Sequence, residues 1–226
     1  MNSRLIPILF LFASAGLAAQ SGPVMVTKNF HFREGIYLSY ASFRNDSPDL
    51  GWDQVEAKWY TNPKTFLTQM EYIRPKTTGQ TAVDPDSIWG FCMQGVPYMR
   101  LSRDWIKKEL ATFAPIQLRG KICYFDFDRM DTTDVLITAY NPANGMPFRK
   151  GVIKKEHEVK YAKILEFETG KVADFNRQNL LAWIGDDQQL VEAVLALREE
   201  ELKAKLFKSL LIYVDRNHVY VTPYTK

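Results

Sequence analysis

Histidine is scarce in this chain: three residues in 226, at His31, His157 and His218. No two of them stand at helical ligand spacing, so a His-Glu-x-x-His metal hydrolase is excluded as a motif. The Gly-x-Ser-x-Gly nucleophile elbow, the Gly-x-x-x-x-Gly-Lys phosphate loop and the Gly-x-Gly-x-x-Gly dinucleotide turn are also missing. Charge of one sign is in short supply as well. Lys and Arg total 29 against 26 acids, a formal net charge of +3, too small for bulk attraction to a polyanion. The basic pairs Lys107-Lys108, Arg149-Lys150 and Lys154-Lys155 read as solvated surface, and no nucleic-acid partner is expected.

Cysteine is limited to Cys92 and Cys123. In an oxidising compartment a bond between them would close a loop of about thirty residues and add ~3 kcal/mol by loop entropy. Their Phe, Ile, Met and Tyr neighbours fit two buried thiols equally well. Both readings stay open, and a Cys–His nucleophile would need an exposed thiol beside a histidine.

Long apolar runs are confined to the start. Arg4 precedes a nearly continuous apolar stretch at residues 5–12, broken by Pro7. Small residues follow up to Ala18-Ala19-Gln20. This is the pattern of a secretory signal peptide over 1–19, with cleavage expected after Ala19. No cysteine follows to accept a lipid, so lipid anchoring is not expected. The apolar run at 210–214 is far too short to span a bilayer, so the mature chain has no expected transmembrane segment. The expectation is an exported, soluble protein, periplasmic or extracellular.

What remains is ample for a core: 46% hydrophobic residues, 13% of the chain aromatic. Ile36, Leu38 and Tyr40 alternate with other residues and predict a strand over 35–40; further strands are expected at 57–60 and 65–70. Two β-rich runs around Gln94-Gly95 predict a hairpin, with Pro97 marking a strand start or an edge strand. A short helix is expected at 104–112. Strands are expected at 116–127 and 135–140, with 128–134 as the turn between them. Residues 141–157 are rich in Pro, Gly and Lys and read as a linker-like loop. A second hairpin turns at Thr169-Gly170. Asn176 caps a short helix to Ile184, and a long helix follows over about 187–213. The predicted fold is α+β: a β-rich region of antiparallel strands and hairpins at 20–140, then a hairpin and helices at 158–226, the two parts able to form one compact domain.

The densest acidic stretch places Asp126, Asp128, Asp131 and Asp134 in the expected turn. Carboxylates in a turn are weak candidates for a Ca²⁺ site, although the glycine and the bidentate Glu of an EF-hand loop are missing. No other cofactor is indicated. Trp52 and Trp59, if exposed on a flat face, could stack on sugars; core packing is the commoner use of such residues. No pair of acids can be nominated for glycoside hydrolysis.

Three segments together carry a resemblance. They are Gly35-Ile36-Tyr37-Leu38-Ser39-Tyr40 with Phe43 and Asn45-Asp46-Ser47-Pro48; Ile88-Trp89-Gly90-Phe91 with Gly95 and Tyr98; and Ile164-Leu165-Glu166-Phe167-Glu168-Thr169-Gly170-Lys171 with Asn179-Leu180 and the charged helix. The arrangement resembles uncharacterised exported proteins common in Bacteroidetes and covers most of the mature chain. It implies a Gram-negative envelope setting and brings no catalytic residue with it. The expected role is a non-enzymatic binding or structural component of the envelope, its partner a protein or a glycan. The competing expectations are an envelope hydrolase acting on glycan or peptide, and a carbohydrate-binding module.

Overall fold

Strands dominate residues 22–222, which a computed structural model describes apart from 28, 78 and 80. In chain order the elements are β1 (Val24–Met25), β2 (Gly35–Tyr37), α1 (Tyr40–Arg44), β3 (Val55–Thr61), β4 (Thr68–Pro75), β5 (Gly90–Met93), β6 (Val96–Arg100), β7 (Ala111–Pro115), β8 (Ile122–Tyr140), β9 (Pro147–Glu166), β10 (Val172–Asp174), α2 (Arg177–Trp183), α3 (Gln188–Leu195), α4 (Glu199–Arg216) and β11 (Tyr220–Val221). The fold is α+β, and every strand pairing is antiparallel.

Six strands form one sheet in the order β2-β5-β6-β7-β4-β3, and β10-β9-β8 form a second. Side chains alternate across a strand, so each sheet has two distinct faces. One face of the second sheet carries Cys123, Phe125, Phe127, Leu165 and Phe167. It meets Tyr37, Phe43, Cys92, Met99, Leu101, Ala114 and Ile116 in one buried cluster. Its opposite face carries Ile122 and Ile164, which pack on Leu180, Ile184, Leu190, Val194, Leu206, Leu210 and Tyr213 of the C-terminal helices. The second sheet is therefore the middle layer between the six-stranded sheet and the helices. The outer face of the six-stranded sheet has its own core around Ile36, Met70, Ile73, Phe91 and Phe113. Trp52 closes it, donating from Nε1 to the Cys92 carbonyl at 2.9 Å and packing against Phe91 and Trp59.

The β5–β6 hairpin forms as expected, with Gln94 and Gly95 both at positive φ (53° and 73°), the conformation of a tight two-residue turn. Strand β6 starts one residue before Pro97. It lies inside the sheet between β5 and β7 rather than at an edge, and the Pro97 carbonyl still accepts from Ile116 N at 2.9 Å. The hairpin at Gly170 (φ 76°) and the Asn176-capped α2 are also present.

Other expectations are corrected. Residues 128–134 make no turn and 141–157 no long loop, because β8 and β9 run in register from Ile122↔Glu166 to Ala139↔Arg149. Only 141–146 turns the chain. The outer part of this hairpin has water on both faces, so its sequence lacks the alternation that marks a half-buried strand. The strand expected at 35–40 ends at Tyr37, where Ser39 and Ser42 form a capping box that opens α1. Residues 104–110 form no helix; Trp105 and Ile106 instead turn onto the core beside Phe125 and Phe127. The long helix expected over 187–213 is two helices. Arg177 reaches the carbonyls of Val194 (3.0 Å), Leu195 (2.6 Å) and Leu197 (2.5 Å), capping the end of α3. Tyr220–Val221 pairs with Val24–Met25 in a separate two-stranded sheet. The signal-peptide reading and its Ala19 cleavage point lie outside the described residues.

Candidate interaction surface

The β8–β9 hairpin extends well past the body as a two-stranded ribbon. Strand β10 pairs with β9 only at 163–165. Beyond the departure of the ribbon from the body, both ribbon edges present unpaired backbone groups. Directly paired residues share a face. Val135 and Ile137 therefore stand on one face with Ile153, and Leu136 stands on the other with Val152. Large apolar side chains are exposed on both faces and at the tip: Leu136 at 66%, Tyr140 at 61%, Met146 at 65% and Phe148 at 69%, with Ile137, Val152 and Ile153 beside them. Clustered exposure of this kind makes the ribbon a candidate interaction surface.

Its charge is one-sided. Residues 135–155 contain Arg149, Lys150, Lys154 and Lys155 and no Asp or Glu. Lys154 and Lys150 lie opposite Asp134 and Thr138 on one face, and Lys155 and Arg149 lie opposite Thr133 and Ala139 on the other. Both faces of the ribbon thus present cations next to apolar groups.

Where the ribbon leaves the body, Arg129 forms a buttress. It donates to Asp131 from Nε (2.6 Å) and Nη2 (3.0 Å) and to the Trp105 carbonyl at 3.3 Å. Its guanidinium lies 4.2 Å from the centre of the Tyr161 ring, and the Tyr161 hydroxyl donates to Asp131. Hydrogen bonds from Arg129, then from Tyr161, hold the Asp131 carboxyl down at about 2. A shallow cleft of about 190 Å³ lies alongside, lined in part by Tyr60, Lys107, Asp128, Arg129 and Glu158. That cleft is below the roughly 300–1,000 Å³ of small-molecule sites, whereas a neighbouring one of about 460 Å³, lined in part by Lys107, Arg129, Asp131 and His157, falls within that range.

The four aspartates offered as Ca²⁺ ligands are not brought together. They lie along one strand, and Asp126 and Asp134 are eight residues apart, roughly 26 Å at strand rise. Asp131 points to the opposite face from the other three. Asp126 accepts from Gln117 at 2.8 Å and pairs with Lys160 at 3.5 Å, Asp128 faces Lys160, and Asp134 faces Lys154. Among the described residues no three His, Cys, Asp or Glu side chains converge as metal ligands.

Cys92 and Cys123 are free, buried thiols rather than a disulfide. They lie on strands of different sheets, and each turns to a carbonyl of its own surroundings: Cys92 to Phe32 at 3.3 Å, Cys123 to Gly120 at 3.4 Å. Burial pushes both thiols up to about 12, which leaves them protonated at neutral pH and unsuited to act as nucleophiles. His157 lies on the ribbon with Nδ1 3.3 Å from the Thr133 hydroxyl; it shares a sheet face with Cys123 but pairs with Asp131, eight residues along β8 and roughly 26 Å away at strand rise. Trp52 and Trp59 are tilted by 41° against each other and form no flat platform. Trp89 stacks on Phe43 with ring centres 4.1 Å apart.

No protein-family model, curated protein or solved structure matches the chain. Among the described residues no helix is long and apolar enough to cross a membrane. The ribbon surface has one trace in the sequence: Val135, Leu136 and Ile137 on one side of the Asn141–Gly145 turn and Val152 and Ile153 on the other, with Arg149 and Lys150 and no acid between them. With 141–157 expected as a loop, nothing in the local pattern joins Val152 and Ile153 to the strand expected at 135–140.

Proposed function

We propose that this chain is an exported, non-enzymatic binding component of the cell envelope, with the outer β8–β9 ribbon as its binding element. One observation carries the reading: the ribbon projects past the three-layer body with apolar side chains exposed on both faces. A two-stranded hairpin without a packed face is marginally stable in water. Native proteins also avoid long apolar ribbons with open edges unless a partner covers them. The N-terminal pattern at 1–19 supports the export half of the proposal.

The test has two parts. N-terminal sequencing of the protein recovered from the expressing cell's envelope or medium is expected to begin at Gln20. Purified protein is expected to be retained by envelope fractions. A variant in which Asn-Gly replaces residues 135–153 is expected to lose that retention while keeping its far-ultraviolet circular dichroism per folded residue. Equal retention of both proteins, or turnover in a broad hydrolase panel, would overturn the reading.

A further inference from the structure

We propose that the ribbon docks, tip leading, on an anionic lipid surface; this rests on the reading of the ribbon as the binding element and names its partner. The tip is apolar and partly aromatic. Tyr140 and Phe148 flank the 141–146 turn, Met146 closes it, and each is more than 60% exposed. Arg149 and Lys150 follow at once, one on each face of the ribbon. An amphipathic aromatic ring beside long cations is the composition that settles at the boundary of headgroups and acyl chains. The stems of Arg and Lys pack against apolar neighbours while the charges reach the phosphates.

Two features set the depth and the partner. The unpaired edges of β8 and β9 need water or another donor and acceptor, so the ribbon cannot enter the hydrocarbon and must stay at headgroup level. The charge of residues 135–155 is four cations and no anion. A second copy meeting ribbon to ribbon would bring eight cations together, which disfavours self-association and leaves a negative surface as the complementary one. Lys154 and Lys155 lie four to six residues further from the tip than Arg149 and Lys150. At ~3.3 Å per residue they stand about a Debye length or more above the surface when the tip leads. The inner pair is therefore expected to matter less.

Co-sedimentation with vesicles tests this. Purified protein is expected to bind vesicles of phosphatidylethanolamine with phosphatidylglycerol and to ignore vesicles of phosphatidylethanolamine with phosphatidylcholine. Salt near 1 M, where the Debye length is about 3 Å, is expected to release it. R149E with K150E should weaken binding by at least about tenfold, and K154E with K155E by less. Tyr140→Ser, Met146→Ser and Phe148→Ser together should also abolish binding with the charge unchanged. All variants lie outside the packed body, so their melting temperatures should match the parent. A polarity-sensitive dye on Met146→Cys should shift to the blue only with the anionic vesicles; the buried Cys92 and Cys123 leave the label specific. Binding to neutral vesicles, or indifference to R149E with K150E, overturns the lipid assignment. So does self-association of that variant with vesicle binding intact, which would make the cations guards against edge pairing. Failure on vesicles with ribbon-dependent retention by envelope proteins sinks the lipid partner and leaves the binding element standing. Failure of both removes both.

Discussion

The two halves of the β8–β9 hairpin share one register and have opposite surroundings. In the inner half, Phe125 and Phe127 are buried against the six-stranded sheet, and Ile122 and Ile164 against the helices. In the outer half, Leu136, Tyr140, Phe148 and Val152 are all more than 60% exposed. The inner half is held by two cores. The outer half is held only by its ladder and by cross-strand pairs such as Leu136↔Val152 and Asp134↔Lys154, worth a few tenths to one kcal/mol each. Backbone pairing is therefore not what distinguishes them, and the apolar content of the outer half contributes nothing to the stability of the body. These exposed residues are the ones on which the proposed binding role rests.

The sharpest way to break the comparison is to remove one phenylalanine from each half. Phe125→Ala is expected to cost about 3–5 kcal/mol, since the ring is fully buried and its neighbours on both layers cannot close the hole. Phe148→Ala is expected to change stability by no more than about 0.5 kcal/mol. Denaturant melts of the two variants decide it; a comparable loss in both would mean that the outer ribbon is packed on the body.

The floor beneath the inner half offers the next largest effect. Asp46 is buried in the loop after α1. It accepts from Arg33 N at 2.7 Å and from the Tyr37 hydroxyl at 3.1 Å. Asp46→Ala strands the Arg33 N–H, while the Tyr37 hydroxyl keeps the Arg33 carbonyl at 2.7 Å, and is expected to cost about 1–3 kcal/mol. Asp46→Asn keeps an acceptor and suits the positive φ of 47° there. Burial raises the Asp46 carboxyl above its ordinary value. Its favourable contribution is thus complete below the unfolded value near 3.8 and is lost as pH rises through the folded value. Parent and Asp46→Asn melts compared from pH 3 to 7 should show the parent losing ground as pH rises. A flat difference would count against the burial.

A smaller effect is expected when the outer half is cut away. Replacing residues 135–153 by Asn-Gly removes no buried side chain of the body, and shortening a loop changes closure entropy by about half a kcal/mol per halving. The denaturation midpoint should therefore move by less than about 1 kcal/mol in free-energy terms. A collapse of stability would show that the ribbon is structural.

The fold class was legible because the body obeys local rules. Alternation exposed the β5–β6 strands, Gln94-Gly95 the turn, Asn176 the cap of α2, and Gly170 the second hairpin. The ribbon was illegible for the reason that makes it distinctive. With no buried face, Asp128, Asp131 and Asp134 in β8 are tolerated by cross-strand Lys160, His157 and Lys154. A row of aspartates then imitates a turn and a supposed Ca²⁺ loop. Pro147 and Gly151 imitate a linker, although Pro147 stands at the first position of β9, where a ladder donor is dispensable. The break between α3 and α4 depends on Arg177, some twenty residues upstream, and no window along the helix contains it. Cys92 and Cys123 were ambiguous for a similar reason: whether two thiols bond depends on which sheets carry them.

The smallest expected effect falls at the boundary between the halves. Arg129, Asp131 and Tyr161 tie the departing ribbon to the Trp105 carbonyl. Because the Asp131 carboxyl is held low, at about 2, its contribution is present above the unfolded value near 3.8 and is lost as pH falls toward 2. The group is largely hydrated, so global stability should barely respond to Asp131→Asn. Local opening is the sensitive readout. Amide exchange at 130–134 and 155–159 should speed up in the variant, while protection at 122–127 and 162–166, between the two cores, stays as in the parent. Acidifying the parent below pH 3 should reproduce the same local pattern. If exchange at 130–134 is unmoved by either change, the buttress is not what sets the boundary, and the limit of the packed body near Phe127 sets it alone.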